Sequence, residues 1–387
     1  MDLEKVKLKN IGRIVTGCTP KTKKEEYYKT KDYMFVGPTD LKLNKYVRNS
    51  EKYISNIAYK DYSIRFIDNN SVMVDCIGSD MGNVALSVGK LLTNQQINSI
   101  TEIDEIRFNI EYIYYVLSTM KKYFHQIGTN GSTMPIINKT MFEEIEIAVP
   151  KKYIQDKVVK ILSSIDNKIE LNNKINDNLF EISCLNYKKW YEKLNSNLET
   201  TYSKLKELGN IVMGQSPKGE SYNFEKVGVP LINGAADYEN GYLMAQKYTS
   251  MPTKICKKDD FIFCIRATIG LLVISDNEYC LGRGVAGITN INNEYKEYAF
   301  HIIYNSIEEF KKLATGSVIV GISRNDIEDI KVKIPTMEQI HEFHRIQSPI
   351  FKRMENIRIE NQILIKLRDS LLPKLMNGEI DLDKIEI

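Results

Sequence analysis

Three short patterns in the sequence have the spacing of known chemical sites. Gly12–Thr19 and Gly209–Ser216 each carry the two glycines of a phosphate-binding loop, but neither has the lysine that reaches the β- and γ-phosphates. Asp329-Ile330-Lys331 has the acid-x-Lys pattern of a nuclease metal site, and His341-x-x-His344 would place two imidazoles on one helix face without a third ligand nearby. We interpret the glycines as turn residues and the Asp-Lys pair as the exposed face of a strand. The two histidines are a minor metal candidate.

Other signatures of catalysis are missing from the sequence. His125 and His301 have no nucleophile motif around them, and there is no glycine motif typical of S-adenosylmethionine binding. The chain has no adjacent prolines, which excludes the Asn-Pro-Pro-aromatic signature of base methyltransferases. We therefore predict no catalytic residue, no metal and no cofactor.

A second set of candidate residues is polar and lies beside glycines or turns. Asn and Gln can bond the edge of adenine, Arg can bond the edge of guanine, and Lys and Ser suit phosphates. The residues predicted to contact DNA are Thr19, Lys21, Lys23, Thr39, Asp40, Gln95, Gln96, Asn130, Ser132, Lys218, Asn233, Arg266, Arg283, Ser317 and Arg324. Polar loops are usually only solvated, and Arg283 between two glycines also fits a structural arginine.

The segments that carry these residues occur twice. Leu8–Lys21 reads LKNIGRIVTGCTPK and Leu205–Lys218 reads LKELGNIVMGQSPK, with six shared features in register. Downstream, Gly131–Pro150 and Gly316–Pro335 form a second pair that begins with Gly-Ser and ends with Pro. An internal repeat at half the chain length predicts two domains of like fold. The alternative is that these are unrelated Gly/Pro turns.

Short apolar runs alternate with turns inside each copy, which is typical of strands. The predicted strands lie at Tyr33–Val36, Ser71–Val74, Phe261–Ile265 and Leu271–Ile274. The predicted helices are Ile110–Phe124 and its counterpart Lys296–Leu313. Together these elements indicate an α+β fold with a strand-rich core.

Each copy is followed by a run in which apolar or Asn residues recur at steps of four and three. The first run is Val158, Leu162, Ile165, Ile169, Asn172, Asn176 and Leu179, and the second is Met354, Ile357, Asn361, Leu364, Arg368, Leu371 and Leu375. This spacing predicts a coiled-coil seam whose Asn172 and Asn361 fix the register, and Pro373 and Gly378 are expected to end the second helix. The alternative is two separate amphipathic helices.

The predicted organisation has four segments: a globular domain at 1–150, a helical spacer at 151–197, a second domain at 198–337 and a second spacer at 338–387. Because the second helix must bring the chain back, we expect antiparallel pairing and a pseudo-two-fold monomer with two long antiparallel helices. A helix of ~35–45 residues is ~50–65 Å long.

Composition limits the class of protein further. The 387 residues carry 53 Lys and Arg against 50 Asp and Glu, so the formal charge of +3 excludes binding of nucleic acid by net charge alone. No apolar stretch approaches the ~18 residues of a membrane span, and the first residues do not form a secretory signal. Six cysteines without a Cys-x-x-Cys pair suggest reduced thiols and a cytoplasmic location.

Several motifs together resemble the specificity (S) subunit of type I restriction-modification systems. They are the two Ile-Val-x-Gly-x-[Thr/Ser]-Pro openings, Thr93–Asn98 (TNQQIN), Ile265–Gly270 (IRATIG), Gly282–Gly284 (GRG) and Leu371–Ile380 (LLPKLMNGEI). The resemblance covers essentially the whole chain. The first helix departs from it, because Cys184–Trp190 has no Leu-Leu-Pro-Lys ending.

This resemblance implies that the globular parts are target recognition domains and that the helices are conserved spacers. The chain would then be non-catalytic and would read a bipartite site in double-stranded DNA, with one half-site per domain and a gap set by the coiled coil. Its expected partners are two methyltransferase (M) subunits and the restriction (R) subunits, with no membrane involved. The alternative is a coiled-coil adaptor that binds proteins and does not read DNA. A third hypothesis, that the chain is itself an enzyme, agrees least with the sequence, because no catalytic motif is found.

Overall fold

The computed structural model describes residues 3–42, 44–129, 135–195, 201–239, 241–314, 321–380 and 382. The chain divides into two compact units, of which the first contains Met1–Leu171 and Glu360–Ile387 and the second contains Asn172–Ile359. Within the described ranges, no helix combines the length and the apolar character that membrane crossing requires.

Among its described residues, the first unit has short strands and four short helices. Its strands are β1 (Glu4–Lys7), β2 (Arg13–Thr16), β3 (Tyr33–Val36), β4 (Tyr46–Val47), β5 (Lys52–Ile54), β6 (Phe66–Ile67), β7 (Val72–Asp75), β8 (Val84–Ser87), β9 (Leu91–Thr93), β10 (Ile97–Thr101) and β11 (Glu146–Val149). Its short helices are α1 (Asn56–Tyr62), α2 (Ile110–Thr119), α3 (Lys121–Gly128) and α4 (Lys139–Glu144).

These strands form three sheets, with orders β1-β11, β2-β10-β7-β8-β4 and β5-β3-β9-β6. All residues of β7 and β10 are buried, including the polar Asp75, Asn98 and Ser99, and both strands lie inside their sheet. β3 and β9 run parallel, with Val36 opposite Thr93. Because parallel strands end at the same edge, the residues that follow β3 and β9 are neighbours.

In the described part of the second unit there are thirteen strands and two short helices. The strands are β12 (Thr201–Lys204), β13 (Asn210–Met213), β14 (Tyr222–Asn223), β15 (Val229–Ile232), β16 (Tyr238–Glu239), β17 (Tyr242–Leu243), β18 (Lys247–Thr249), β19 (Ile255–Cys256), β20 (Phe261–Cys264), β21 (Gly270–Ile274), β22 (Tyr279–Leu281), β23 (Val285–Thr289) and β24 (Lys331–Ile334). The helices are α6 (Lys296–Leu313) and α7 (Arg324–Glu328).

The sheets of the second unit repeat the strand order of the first. β12-β24 matches β1-β11, β13-β23-β20-β21 matches β2-β10-β7-β8, and β18-β15-β22-β19 matches β5-β3-β9-β6. The matched central pair β15 and β22 is again parallel. The units differ at their edges, where β4 extends one sheet of the first unit and β14 and the β16-β17 hairpin belong to the second. The predictions of an α+β class and two similar domains are confirmed.

Two long helices, α5 (Lys152–Asn195) and α8 (Met337–Met376), are divided between the units, so that one part of each helix belongs to the first unit and the other part to the second. In the first unit, Arg368 pairs with Asp166 at 3.2 Å and the Lys157 ammonium donates to the Leu382 carbonyl at 2.8 Å. In the second unit, the Asn176 amide donates to the Met354 carbonyl at 3.4 Å. Lys168 also pairs with Glu360 at 3.4 Å, so a later residue of the first helix meets an earlier residue of the second, and the two helices are antiparallel in the first unit.

The predicted seam positions lie on the packed face of these helices. Val158, Leu162 and Ile165 are buried on the first helix, and Ile357 and Leu375 are buried on the second. Asn172 and Asn361 are also buried, each 1 % exposed, which fits seam positions that fix the register. The charged seam position Arg368 is explained by its ion pair with Asp166.

Of the two residues predicted to end the second long helix, Gly378 is confirmed and Pro373 is wrong, and one predicted helix is interrupted. The second long helix runs through Pro373 to Met376, and it ends where Gly378 takes a φ of +70° that suits glycine. The predicted helix Ile110–Phe124 is two helices, α2 and α3, separated at Met120. The Thr119 hydroxyl donates to the Val116 carbonyl at 2.7 Å, and such side-chain bonds compete with helical backbone bonds.

Candidate nucleic-acid interface

The ends of four strands meet at one edge of the first unit. The Cys18 amide, after β2, donates to the Thr93 carbonyl at 2.9 Å, and the Asn94 amide, after β9, donates to the Val36 carbonyl of β3 at 2.9 Å. The Cys76 amide, after β7, donates to the Gln96 carbonyl at 2.8 Å. These bonds hold the connection Asn94–Gln96 between the other loops, so we call this region the first polar edge.

A hydroxyl and an amide are paired on the first polar edge. The Thr19 hydroxyl donates to Gln95 Oε1 at 2.7 Å, and both side chains are exposed. The amide nitrogen and the second lone pair of Oε1 remain available to a ligand. Next to this pair, the side-chain nitrogen Nδ2 of Asn94 donates to Gln96 Oε1 at 3.0 Å, and the backbone amide of Gln96 donates to Asn94 Oδ1 at 3.0 Å. The structure therefore brings Thr19, Gln95 and Gln96 together.

Asp40 has a local structural role on this edge. Its Oδ2 accepts from the Gly37 amide at 2.7 Å and from the Ser50 hydroxyl at 3.1 Å, which fixes the turn after β3. Thr39 is exposed on the same turn. In the second unit Asp237 accepts in the same way from the Asn233 amide at 2.6 Å.

The second unit repeats this network of backbone bonds. The Gln215 amide donates to the Leu281 carbonyl at 2.8 Å, and the Gly282 amide donates to the Ile232 carbonyl at 2.8 Å. The Ile265 amide donates to the Gly284 carbonyl at 2.9 Å. Gly282–Gly284 thus occupies the place of Asn94–Gln96, and we call this region the second polar edge.

Arg283 lies at the centre of the second polar edge. It is exposed, and its Nε donates to the Ser216 hydroxyl at 3.2 Å. The flanking glycines leave room for Asn233. A Cβ on Gly282 would lie 2.2 Å from Asn233 Oδ1, and one on Gly284 would lie 2.0 Å from the Asn233 carbonyl oxygen. The structure brings Asn233, Ser216 and Arg283 together.

The repeated glycines Gly17 and Gly214 allow a close approach of backbone. A Cβ on Gly17 would lie 2.2 Å from the carbonyl oxygens of Thr93 and Asn94, and one on Gly214 would lie 2.1 Å from the Gly282 carbonyl. These glycines therefore seat each opening loop against the connection between β9 and β10 or between β22 and β23. Their spacing reflects this packing and not a phosphate loop.

The other predicted DNA contacts are distributed around the two edges. Lys21, Lys23 and Lys218 are exposed on the opening loops, as is Arg266, which forms an isolated β-bridge with Gly321 after β20. Arg324 begins α7, where its Nη2 donates to the Ile211 carbonyl at 3.0 Å. Asn130, Ser132 and Ser317 lie outside the described residues. All of these assignments stay predictions.

Two polar residues at these edges were absent from the predicted set. Ser216 is the counterpart of Thr19 in the sequence repeat, so that repeat could have identified it. Arg65 reaches the Thr16 carbonyl at 3.2 Å from a distant 3₁₀ turn, and no local pattern indicates it. Burial raises the pKa of the Cys18 thiol, and the nearby Arg65 opposes this shift.

The motifs first considered for metal chemistry have other partners. His341 Nε2 lies 2.8 Å from Glu294 Oε2, and His344 Nδ1 lies 2.7 Å from Glu297 Oε2. Asp329 is paired with Lys204 at 2.6 Å. Across the described part of the chain, no three His, Cys, Asp or Glu residues are grouped so that they could hold a metal ion.

The comparison with known proteins identifies the family. The family model described as the type I restriction modification DNA specificity domain matches residues 1–181 and again 197–368, so the chain belongs to this family. The family resemblance predicted from the sequence is therefore confirmed.

Individual relatives agree with this assignment. The chain is 26% identical over 418 residues to the type I restriction enzyme MjaIX specificity subunit of Methanocaldococcus jannaschii, which covers 99% of this chain and 95% of that protein. It is 30% identical over 168 residues to the HindI specificity subunit of Haemophilus influenzae, which covers 42% and 36% of the two chains. The crystal structure of an S subunit from M. genitalium matches 97% of this chain and 96% of that chain at 17% identity, with a TM-score of 0.57, which supports the fold.

Proposed function

We propose that the chain reads a bipartite site in double-stranded DNA, with one half-site bound at each polar edge. The observation that carries this proposal is the repetition of the polar edge in two units of one topology. Gln95 and Arg283 lie on equivalent connections between strands, and each bonds a hydroxyl residue of the opening loop, Thr19 or Ser216. Amide and guanidinium groups suit base edges, and the exposed lysines Lys21 and Lys218 suit phosphates. Family membership supports the same role.

The chain itself would bind and not react. Its task would be to bring two methyltransferase subunits, and restriction subunits where present, to the DNA. The long helices offer apolar side chains for such partners: Ile363 and Leu367 are 61 % and 44 % exposed in the first unit, and Ile182 and Leu185 are 47 % and 52 % exposed in the second. Positive charge from the partners would add affinity that depends on salt, because this chain has a net charge of only +3.

The test is to map methylated bases in cells with and without this chain, in the presence of the methyltransferase subunit. We expect a bipartite motif that disappears with the chain, and exchange of residues 1–150 for another such domain should change one half of the motif only. Loss of methylation at unrelated sites, or a change in both halves, would contradict the proposal. A gel shift in the presence of methyltransferase subunits, on DNA with and without the motif, separates this function from that of a protein adaptor, which would give no preference for the motif.

We further propose that the paired helices set the length of the unread gap. Each helix contributes to both units, so seven residues added after Leu171 and seven after Ile359 would lengthen both helices and keep the seven-residue seam period. The added rise is about 10 Å, which corresponds to about three base pairs of B-DNA. A motif whose gap stays unchanged would refute this role of the helices.

A further inference from the structure

Gln95 and Arg283 occupy the same position in the two units. Each is the middle residue of a three-residue connection, Asn94–Gln96 between β9 and β10 and Gly282–Gly284 between β22 and β23. In both units the backbone amide of the preceding residue donates to the last carbonyl of the neighbouring parallel strand. Asn94 bonds Val36 at the end of β3, and Gly282 bonds Ile232 at the end of β15. The sequences Asn-Gln-Gln and Gly-Arg-Gly share no residue, so only the structure relates them.

A hydroxyl at an equivalent position orients each of these side chains. Thr19 and Ser216 both lie three residues after the matched strands β2 and β13. Thr19 donates to the oxygen of the Gln95 amide at 2.7 Å, which fixes the plane of the amide and leaves its nitrogen available to a ligand. Ser216 accepts from Nε of Arg283 at 3.2 Å, which leaves the two terminal guanidinium nitrogens available to a ligand.

These orientations suit different bases. A glutamine amide can donate to N7 of adenine and accept from its N6 amino group, whereas the two terminal nitrogens of arginine can donate to O6 and N7 of guanine. On the basis of the proposed function, we infer that Gln95 and Arg283 are equivalent specificity-determining residues. Gln95 reads an A·T pair in the first half-site, and Arg283 reads a G·C pair at the matching place in the second. Thr19 and Ser216 are positioning residues.

The test is to map the methylated motif of Gln95→Arg and Arg283→Gln variants beside the wild-type chain with the same methyltransferase subunit. Gln95→Arg should change one A·T position of the first half-site to G·C, and Arg283→Gln should change one G·C position of the second half-site to A·T. The preference at that position should move by about tenfold or more. An unchanged motif, a change in the other half, or equal weakening at all sequences would overturn the inference.

Substitutions of Thr19 and Ser216 give a second measurement, which still tests the inference if Gln95→Arg or Arg283→Gln abolishes methylation altogether. Thr19→Ala and Ser216→Ala should each relax the preference at one base pair, in the first and second half-site respectively. Thr19→Ser and Ser216→Thr keep the hydroxyl and should keep the motif. Alanine variants that retain full preference would overturn the inference. A wild-type chain that directs no bipartite methylation would instead contradict the proposed function itself.

Discussion

A buried histidine should make the second unit sensitive to acid. His301 is fully buried, and its Nε2 lies 2.8 Å from the Ser183 hydroxyl. Because that hydroxyl donates its own proton to Gln347 Oε1 at 2.7 Å, His301 Nε2 must carry the hydrogen in this pair. Nδ1 is buried without a hydrogen-bond partner among the described residues, so the second proton would have no acceptor. Burial lowers the pKa of His301 to about 4.

The sign and size of the effect follow from this pKa. The unfolded chain binds a proton at this histidine below about pH 6.5, whereas the folded chain does not until about pH 4. The contribution of neutral His301 to the free energy of unfolding is therefore fully present above pH 6.5. It is lost as the pH falls towards 4, by about 3 kcal/mol in total. Beyond pH 4 both states are protonated and this loss does not grow.

The assay uses Trp190, the single tryptophan of the chain. Its ring lies 4.4 Å from that of Phe343 and 5.4 Å from that of Tyr298, so its fluorescence reports on the second unit. Urea titrations at pH 6.5 and pH 4 should give a larger loss of stability for the wild-type chain than for His301→Gln, which cannot take up the proton. His125→Gln, in the first unit, is the matched control and should behave as the wild type. Equal losses in wild type and His301→Gln would refute this reasoning.

Three further predictions test the packing of the units. Gly214→Ala should destabilise the second unit by about 1–3 kcal/mol in urea titrations, because its Cβ would lie 2.1 Å from the Gly282 carbonyl, whereas Gly219→Ala, which has open space around it, should leave the midpoint unchanged. Arg358→Met should cost about 2–4 kcal/mol by Trp190 fluorescence, because it removes the 2.8 Å partner of the mostly buried Asp276; a loss below about 0.5 kcal/mol would contradict this. Arg368→Met removes the ion pair with Asp166 at 3.2 Å in the first unit and should lower the free energy of unfolding, measured by far-UV circular dichroism. An unchanged unfolding curve would show that the pair contributes nothing.

The features that recur locally in the sequence were predictable. The Leu8–Lys21 repeat identified Gly17 and Gly214 as turn residues, because close backbone approach allows no side chain there, but it did not identify the strands β2 and β13 before them. The four-three spacing located the seam, since Asn172 and Asn361 are as buried as the apolar positions around them. Lys296–Leu313 is a single helix as predicted, because it contains no glycine or proline, and the bond from the Ser306 hydroxyl to the Ile302 carbonyl does not interrupt it.

The failures have long-range or competing causes. Pro373 does not end its helix, because the chain continues into a packed last turn in which Leu375 is buried. The equivalence of Gln95 and Arg283 depends on the parallel pairing of β3 with β9 and of β15 with β22, which no local pattern encodes. Arg65 reaches the first polar edge only because the fold returns a distant turn to β2.

The discontinuity of the first unit has a consequence for biosynthesis. Leu375 and Leu382 are buried in the same apolar core as Val158 and Leu162, and Lys157 bonds the Leu382 carbonyl. Domains near the amino terminus generally fold first as they leave the ribosome. Here residues 1–171 share their core with residues that follow the second unit, so the first unit completes its folding only after the second unit has been synthesised.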